Sequence, residues 1–308
     1  MSRVYASLPL SGPQGHAGRE LLCGAELALE RAEAGVELVA LDSFEGQSLA
    51  NARTAIDDSQ ALAYLGDYHS ADVLSTAPLL GDAGLLTVAP VATFVGLSGP
   101  TLVRLSPDDR MGAEAIADWL VGAGVGELLV VHDHDDGYGV PVGRMCAEAA
   151  GERGLEVRVR PVWNSDGHPA GDLGAAGAVL YVGVAGSGAV DLWHELHVAN
   201  PQLWLLGSEG VAQGWLAGAL SPEAAERSRF FVGQRASFGF YGYEAMALIL
   251  DAVDAGAGER AGVVAVARAT RERDSILGRY SLDSDGLTTR AAYGRLAVAG
   301  GELVWDRG

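Results

Sequence analysis

Ten short runs of apolar, β-prone residues alternate along this chain with stretches of helical periodicity, and this alternation restricts the fold more than any other feature. The runs fall near 3–9, 36–42, 61–66, 85–90, 102–106, 127–132, 156–161, 178–183, 202–207 and 229–234. Helical stretches lie near 15–34, 46–58, 71–83, 110–123, 138–153, 187–198, 210–219, 239–255 and 261–274. A strand with one wet face alternates apolar and polar residues. Runs such as ELLVVH (127–132) and AVLYVG (178–183) do not alternate, so both faces of their sheet need helical cover, as in parallel α/β sheets. Leu21, Leu22, Ala25, Ala28, Leu29 and Ala32 form the 3.6-residue stripe of a helix with one buried face.

One sheet of all these strands would exceed the size at which a single core stops growing, roughly 250–300 residues. The chain has 308. A crossing between two α/β lobes is expected at VRLSPDDRMG (103–112), where Pro107 and two aspartates interrupt the pattern. A second run of units follows over about 108–234. The glycine- and aromatic-rich FFVGQRASFGFYGYEAM (230–246) then leads into a further helix. No repeat recurs at a period of about 20–50 residues, which excludes solenoids.

Charge and composition remove several functions. A net charge of −19, from 21 basic and 40 acidic residues, repels phosphate backbones, so nucleic acid is not an expected partner. All of the basic residues are arginine. Without lysine there is no Walker A loop, no Schiff-base lysine and no pyridoxal-phosphate lysine. Cys23 and Cys146 are expected to be free and buried. The longest apolar candidate, LLTVAPVATFVGL (85–97), carries Pro90 and two threonines and falls short of the roughly 18–20 residues that span a bilayer. With 49% hydrophobic and 20% charged residues, a soluble globular chain is expected. The opening MSRVYASLPLSGP runs straight into a strand and shows no signal-peptide n-region or h-region.

In open parallel sheets, ligands bind outside the carboxyl ends of the strands. After the third strand, in AYLGDYHSADV (63–73), Ser70 begins a helix whose first N–H groups are free to meet an anion. The same serine would serve equally as an ordinary N-cap. After the fourth strand comes APVATF (89–94), with Thr93 in the loop. After the ninth comes LLGSEGVAQ (205–213), where Glu209 is either a ligand for a cation or a first-turn charge offsetting the helix dipole. VVHDHDDGYG (130–139) crowds His132, Asp133, His134, Asp135 and Asp136, but consecutive loop residues rarely converge on one ion and no HExxH or EF-hand spacing is present. It reads as a solvated loop that delivers Tyr138. LGSEG lacks the first glycine of a nucleophile elbow, with Leu206 in its place. GVAGSG (183–188) departs from the dinucleotide glycine order. No catalytic residue set emerges.

Taken in order, PLSGPQGHAGRELLCGAELALE (9–30), YLGDYHSADVLSTAPLLGDAGLLTVAPVAT (64–93), VVHDHDDGYG, LLGSEGVA and LDSDG (282–286) resemble the type I periplasmic binding proteins. The likeness is to the leucine/isoleucine/valine-binding branch that feeds ABC transporters. It implies two Rossmann-like lobes with parallel-dominated sheets joined by hinge crossings, the Venus-flytrap arrangement. The first lobe would comprise 1–105 and 235–290 and take a carboxylate; the second, 106–234 and 291–308, would take an ammonium. The implied function is extracytoplasmic or periplasmic capture of a free amino acid in an interlobe cleft, for an ABC transporter permease, with no catalysis, cofactor or metal. By the resemblance, Ser70 and Thr93 grip the α-carboxylate, and Glu209 takes the α-ammonium with the Val91 carbonyl. His69, Tyr138, Tyr243 and Ala185 are the remaining ligand-site positions. Ala185 and Ala17 stand where the branch has tyrosines, and His69 stands where it has a disulfide cysteine. Leu282 replaces an aromatic residue. A strand and helix usual after FFVG are missing, which leaves Phe238, Phe240 and Tyr241 without assigned places. A cytoplasmic amide sensor of the same superfamily and an aromatic-acid binder are the alternatives. An α/β enzyme would need a nucleophile–base pair that the sequence does not offer.

Overall fold

The computed structural model describes residues 1–134, 138–162, 173–183, 188–233, 237–256, 258–290 and 293–306. Contacts divide the chain into a first unit, Met1–Asp108 with Ala236–Ala292, and a second, Asp109–Arg235 with Tyr293–Gly308.

The first unit alternates strands β1 (Ser2–Leu8), β2 (Val36–Asp42), β3 (Ala61–Leu65), β4 (Leu86–Ala89) and β5 (Leu102–Arg104) with helices α1 (Gly15–Ala32), α2 (Ser48–Asp57) and α3 (Ser70–Asp82). The sheet order is β2-β1-β3-β4-β5, and every pairing is parallel. Strands β3, β4 and β5 and most of β1 are buried on both faces, as their apolar runs require, while β2, at the sheet edge, is only partly covered. Val4, Ala6 and Leu8 of β1 join a core completed by Leu21, Ala25 and Ala28 of α1, while Tyr5 between them packs on the other side with Ala52, Ala55 and Leu80. The turn after β1 is fixed by Asp42, which accepts hydrogen bonds from the Leu10 N–H (2.9 Å) and the Ser11 hydroxyl (2.5 Å).

The second unit holds α4 (Asp109–Gly122), β6 (Glu127–His132), α5 (Gly139–Glu152), β7 (Glu156–Pro161), β8 (Ala178–Val182), α6 (Gly188–Ala199) and β9 (Trp204–Gly207). It continues through α7 (Gly214–Ala219), α8 (Pro222–Glu226) and β10 (Ser228–Val232). The chain then supplies α9 (Phe238–Ala255) and α10 (Arg260–Arg268) to the first unit. It closes with β11 (Gly294–Ala299) and β12 (Glu302–Trp305) in the second. The second sheet runs β12-β11-β10-β9-β8-β6-β7, parallel except for β11 and β12.

The antiparallel β11–β12 hairpin is absent from the sequence expectation. Its residues are nearly all half-exposed or exposed, so they escape the demand for an unbroken apolar run that marked the other strands. The Gly300–Gly301 loop, with φ of 60° and 80°, supplies the positive dihedrals that a two-residue hairpin turn needs. Two helix expectations also change. The helix expected over 261–274 stops at Arg268, beyond which Arg273 pairs with Tyr280 in an isolated bridge. The stretch 210–219 divides into a short 3₁₀ turn, Glu209–Val211, and α7. Both cysteines are free, but only Cys146 is buried; Cys23 is exposed on α1. Burial pushes the Cys146 thiol up to about 12, which makes it an inert packing residue.

Candidate functional site

In the first unit, β3 is followed by Gly66, whose φ of 147° suits glycine, and a Cβ there would lie 2.6 Å from the Ser7 carbonyl. The next residue, Asp67, is 0% exposed. Its carboxylate accepts from the Tyr64 hydroxyl at 3.0 Å and from the Thr76 hydroxyl at 2.7 Å. Loss of solvation raises its pKa despite those donors. Thr76 lies in α3, so Asp67 ties the end of β3 to the helix that follows.

The cap expected of Ser70 belongs one residue earlier. His69 occupies the extended N-cap position (φ −85°, ψ 138°) without a side-chain cap bond, and Ser70 is the first helical residue. The Ser70 hydroxyl instead accepts from the Phe94 N–H at 3.2 Å. The Phe94 carbonyl in turn accepts from the guanidinium of Arg104, which is 2% exposed, at 2.7 Å. The loop bearing Val91 and Thr93 is therefore held by Ser70 on one side and β5 on the other. Val91 is buried and Thr93 half-buried. The structure thus brings Ser70, Val91 and Thr93 into one neighbourhood at the α3 N-terminus, where peptide N–H groups and hydroxyls favour an anion without a positive side chain.

His69 is exposed, with its ring edge-on to Tyr68 at 4.9 Å, and Tyr68 meets Phe238 of α9 at 5.9 Å. The sequence pattern singled out neither Tyr68 nor a place for Phe238; their aromatic character beside the Ser70 turn was the available signal. Tyr243, also in α9, lies under the Arg31 guanidinium at 5.9 Å and lines a groove of about 690 Å³ with Arg19, Cys23, Leu27 and Phe240.

In the second unit, α5 starts beside Asp133. A Cβ at Gly139 or at Gly183 would collide with the Asp133 carboxylate, so these two glycines make room for it against the α5 N-terminus. That carboxylate offsets the helix dipole, a bland role for one member of the acidic cluster. Asp135 and Asp136 lie outside the described residues, as does Ala185. Among the described residues, no group of three or more His, Cys, Asp or Glu side chains could hold a metal.

Tyr138 immediately precedes α5. Its hydroxyl donates to the Ser208 hydroxyl oxygen at 3.3 Å and accepts from the Gly210 N–H at 3.5 Å. Glu209, between those residues, is half-exposed, and its Oε2 accepts from the Gly233 N–H at 3.3 Å. Burial, then the charge of Glu209, raises the Tyr138 phenol above its usual range. Tyr138 and Glu209 are thus neighbours although 71 positions separate them. The Gly233 partner went unnoticed in the sequence, where only the glycine ending FFVG pointed to it. Chemically, the second unit presents a carboxylate suited to a cation.

The profile of the family described as periplasmic binding protein matches residues 5–190. No curated protein matches the chain in sequence. Among solved structures, the leucine-binding protein LivK of Thermotoga maritima is similar at a TM-score of 0.81 and 21% identity, over 99% of this chain and 98% of that one. LivJ of Streptococcus pneumoniae, a branched-chain amino acid transporter substrate-binding protein in complex with isoleucine, gives 0.78 and 15%, over 99% and 100%. An ABC transporter solute-binding protein of R. palustris in complex with benzoate gives 0.74 and 17%, over 98% and 94%. These likenesses establish the type I two-lobe α/β fold. Among the described residues, no helix is long and apolar enough to cross a membrane.

Proposed function

Because this chain belongs to the periplasmic binding protein family, we propose that it captures a free apolar amino acid, branched-chain by preference, for an ABC transporter. The observation that carries this reading is a chemical asymmetry. The first unit offers the Ser70 hydroxyl, Thr93 and peptide N–H groups at a helix start; the second offers the half-exposed Glu209 carboxylate. A zwitterion meets both demands: its α-carboxylate goes to Ser70 and Thr93, its α-ammonium to Glu209 and the Val91 carbonyl. His69 is the remaining side-chain contact proposed for the first unit; Tyr243, expected beside it, lines the separate groove under Arg31. By the resemblance, Ala17 and Ala185 stand in place of tyrosines, so a bulkier ligand side chain would be accepted. The protein works outside the cytoplasm with a permease as its partner, and it catalyses nothing.

The benzoate complex of the R. palustris protein favours a second reading, an aromatic carboxylic acid, which would use the Ser70 side and bring no ammonium to Glu209. Calorimetric titration with leucine, isoleucine and valine separates the two. In Glu209→Ala the affinity for whichever of these binds is expected to fall by about 2–5 kcal/mol, because a desolvated ammonium is left unpaired. A change within about 0.5 kcal/mol, the range of an ordinary surface substitution, would reduce Glu209 to a helix-start charge.

A further inference from the structure

We propose that Tyr138 is a positioning residue for Glu209, clamping the turn that carries the carboxylate; this rests on the reading of Glu209 as the ammonium site. The phenol oxygen acts on both sides of Glu209. It donates to the side chain of Ser208, the residue before, and accepts from the backbone of Gly210, the residue after. The brace acts on a short turn. It is a single 3₁₀ turn entered from an extended Ser208 (φ −72°, ψ 177°), and its own main-chain bonds are Val211 N–H to Ser208 O (2.9 Å) and Ala212 N–H to Glu209 O (3.1 Å). Those bonds close the turn, and the Ser208 N–H, donated to the Tyr181 carbonyl at 3.1 Å, ties its entry to β8; the phenol adds the tie to the start of α5. A Cβ at Gly210 would collide with the Gly183 carbonyl and lie 3.3 Å from the Tyr138 ring, so the glycine lets the turn close onto both.

The brace is itself anchored. Tyr138 stands at the start of α5, where its carbonyl accepts from the Val142 N–H at 3.0 Å and the Asp133 carboxylate sits against Gly139. The carboxylate end of Glu209 is held separately by the Gly233 N–H at the end of β10. The space left among Tyr138, Cys146, Ser208, Glu209 and Tyr293 is about 10 Å³, scarcely one water. The phenol therefore works through the turn, not by facing a ligand within that cavity. α5 and β10 together fix where the carboxylate stands.

Tyr138→Phe keeps the ring and removes the oxygen. Without any ligand, amide hydrogen exchange at Gly210 and Gly233 should quicken by about fivefold or more, while the unfolding midpoint moves by less than about 3 °C. With ligand, leucine should weaken about tenfold. Isocaproate, the same skeleton without the ammonium, should weaken much less. Ser208→Ala, which removes the same hydroxyl contact from the other side, should shift the leucine-to-isocaproate ratio in the same direction, and it serves if Tyr138→Phe folds poorly. Equal losses for leucine and isocaproate would make Tyr138 a ligand contact and overturn the proposal, as would unchanged exchange at Gly233. If the wild-type protein binds no branched-chain amino acid, the functional reading fails, and the exchange measurement still decides whether Tyr138 sets Glu209.

Discussion

Asp67 carries a fully buried carboxyl one turn before the proposed carboxylate site, and it makes the stability of this fold depend on pH in a defined direction. Its usual value is 3.8, and burial raises it in the folded state. Well below 3.8 both states are protonated and the group contributes no difference. As the pH climbs from there towards the raised folded value, the unfolded chain has released its proton while the folded chain still holds one, so stability declines through that window and the full cost remains above it. Asp67→Asn removes the titration. Denaturant unfolding of both proteins from about pH 3 to about pH 8 should show the wild type losing stability relative to the variant as the pH rises. A difference that stays flat would mean that Asp67 is not buried as a carboxyl. At this scale the sequence was legible where a residue announces its own chemistry. Ser70 and Glu209 stood out as a hydroxyl and a carboxylate at strand ends. Asp67, Gly233 and the bond from Ser70 to Phe94 did not, because burial and partnership belong to the fold and are invisible in the chain.

Helices α1 and α9 pack closely enough that backbone meets backbone. A Cβ on Gly24 would collide with the Gly239 carbonyl, and a Cβ on Gly242 would collide with the Leu21 carbonyl. Both obstacles are main chain, so neither can swing aside. Gly242→Ala is therefore expected to destabilise the protein by about 3 kcal/mol or more by overpacking, read as a lower denaturant midpoint. A midpoint equal to wild type would show that the two helices separate freely. A glutamate on the same helix anchors the end of the unit: Glu244, 2% exposed, accepts from Arg273 at 2.6 Å and from the Tyr280 hydroxyl at 2.8 Å. That anchor holds the irregular segment after α10, which sequence periodicity had extended as a helix to 274. The inner strands were readable because burial on both faces forces unbroken apolar runs such as 127–132 and 178–182. Strands β11 and β12, on the antiparallel side of their sheet, are free of that demand, and in GRLAVAGGELVW only the paired Gly300–Gly301 hinted at a hairpin, a hint absent from the sequence expectation.

For the molecule as a whole, membership in the periplasmic binding protein family and the fold shared with LivK and LivJ leave the ligand as the central question. A chain with a net charge of −19 offers no electrostatic attraction to an acidic solute, so the proposed carboxylate site would depend on local donors at α3, with Glu209 proposed for the opposite charge. The two ends of a free amino acid would satisfy both halves of the proposed site, a simple acid or an amide only one. The most direct measurement is a thermal-shift panel of the twenty amino acids together with benzoate-like acids and small amides. A ligand that binds only the folded protein adds about 2.7 kcal/mol of stability at a hundredfold excess over its dissociation constant. An upward shift of the midpoint with an apolar zwitterionic amino acid, and none with the acids or amides, is the predicted result. Shifts confined to acids or amides lacking an α-ammonium would contradict it, as would a panel in which no amino acid moves the midpoint.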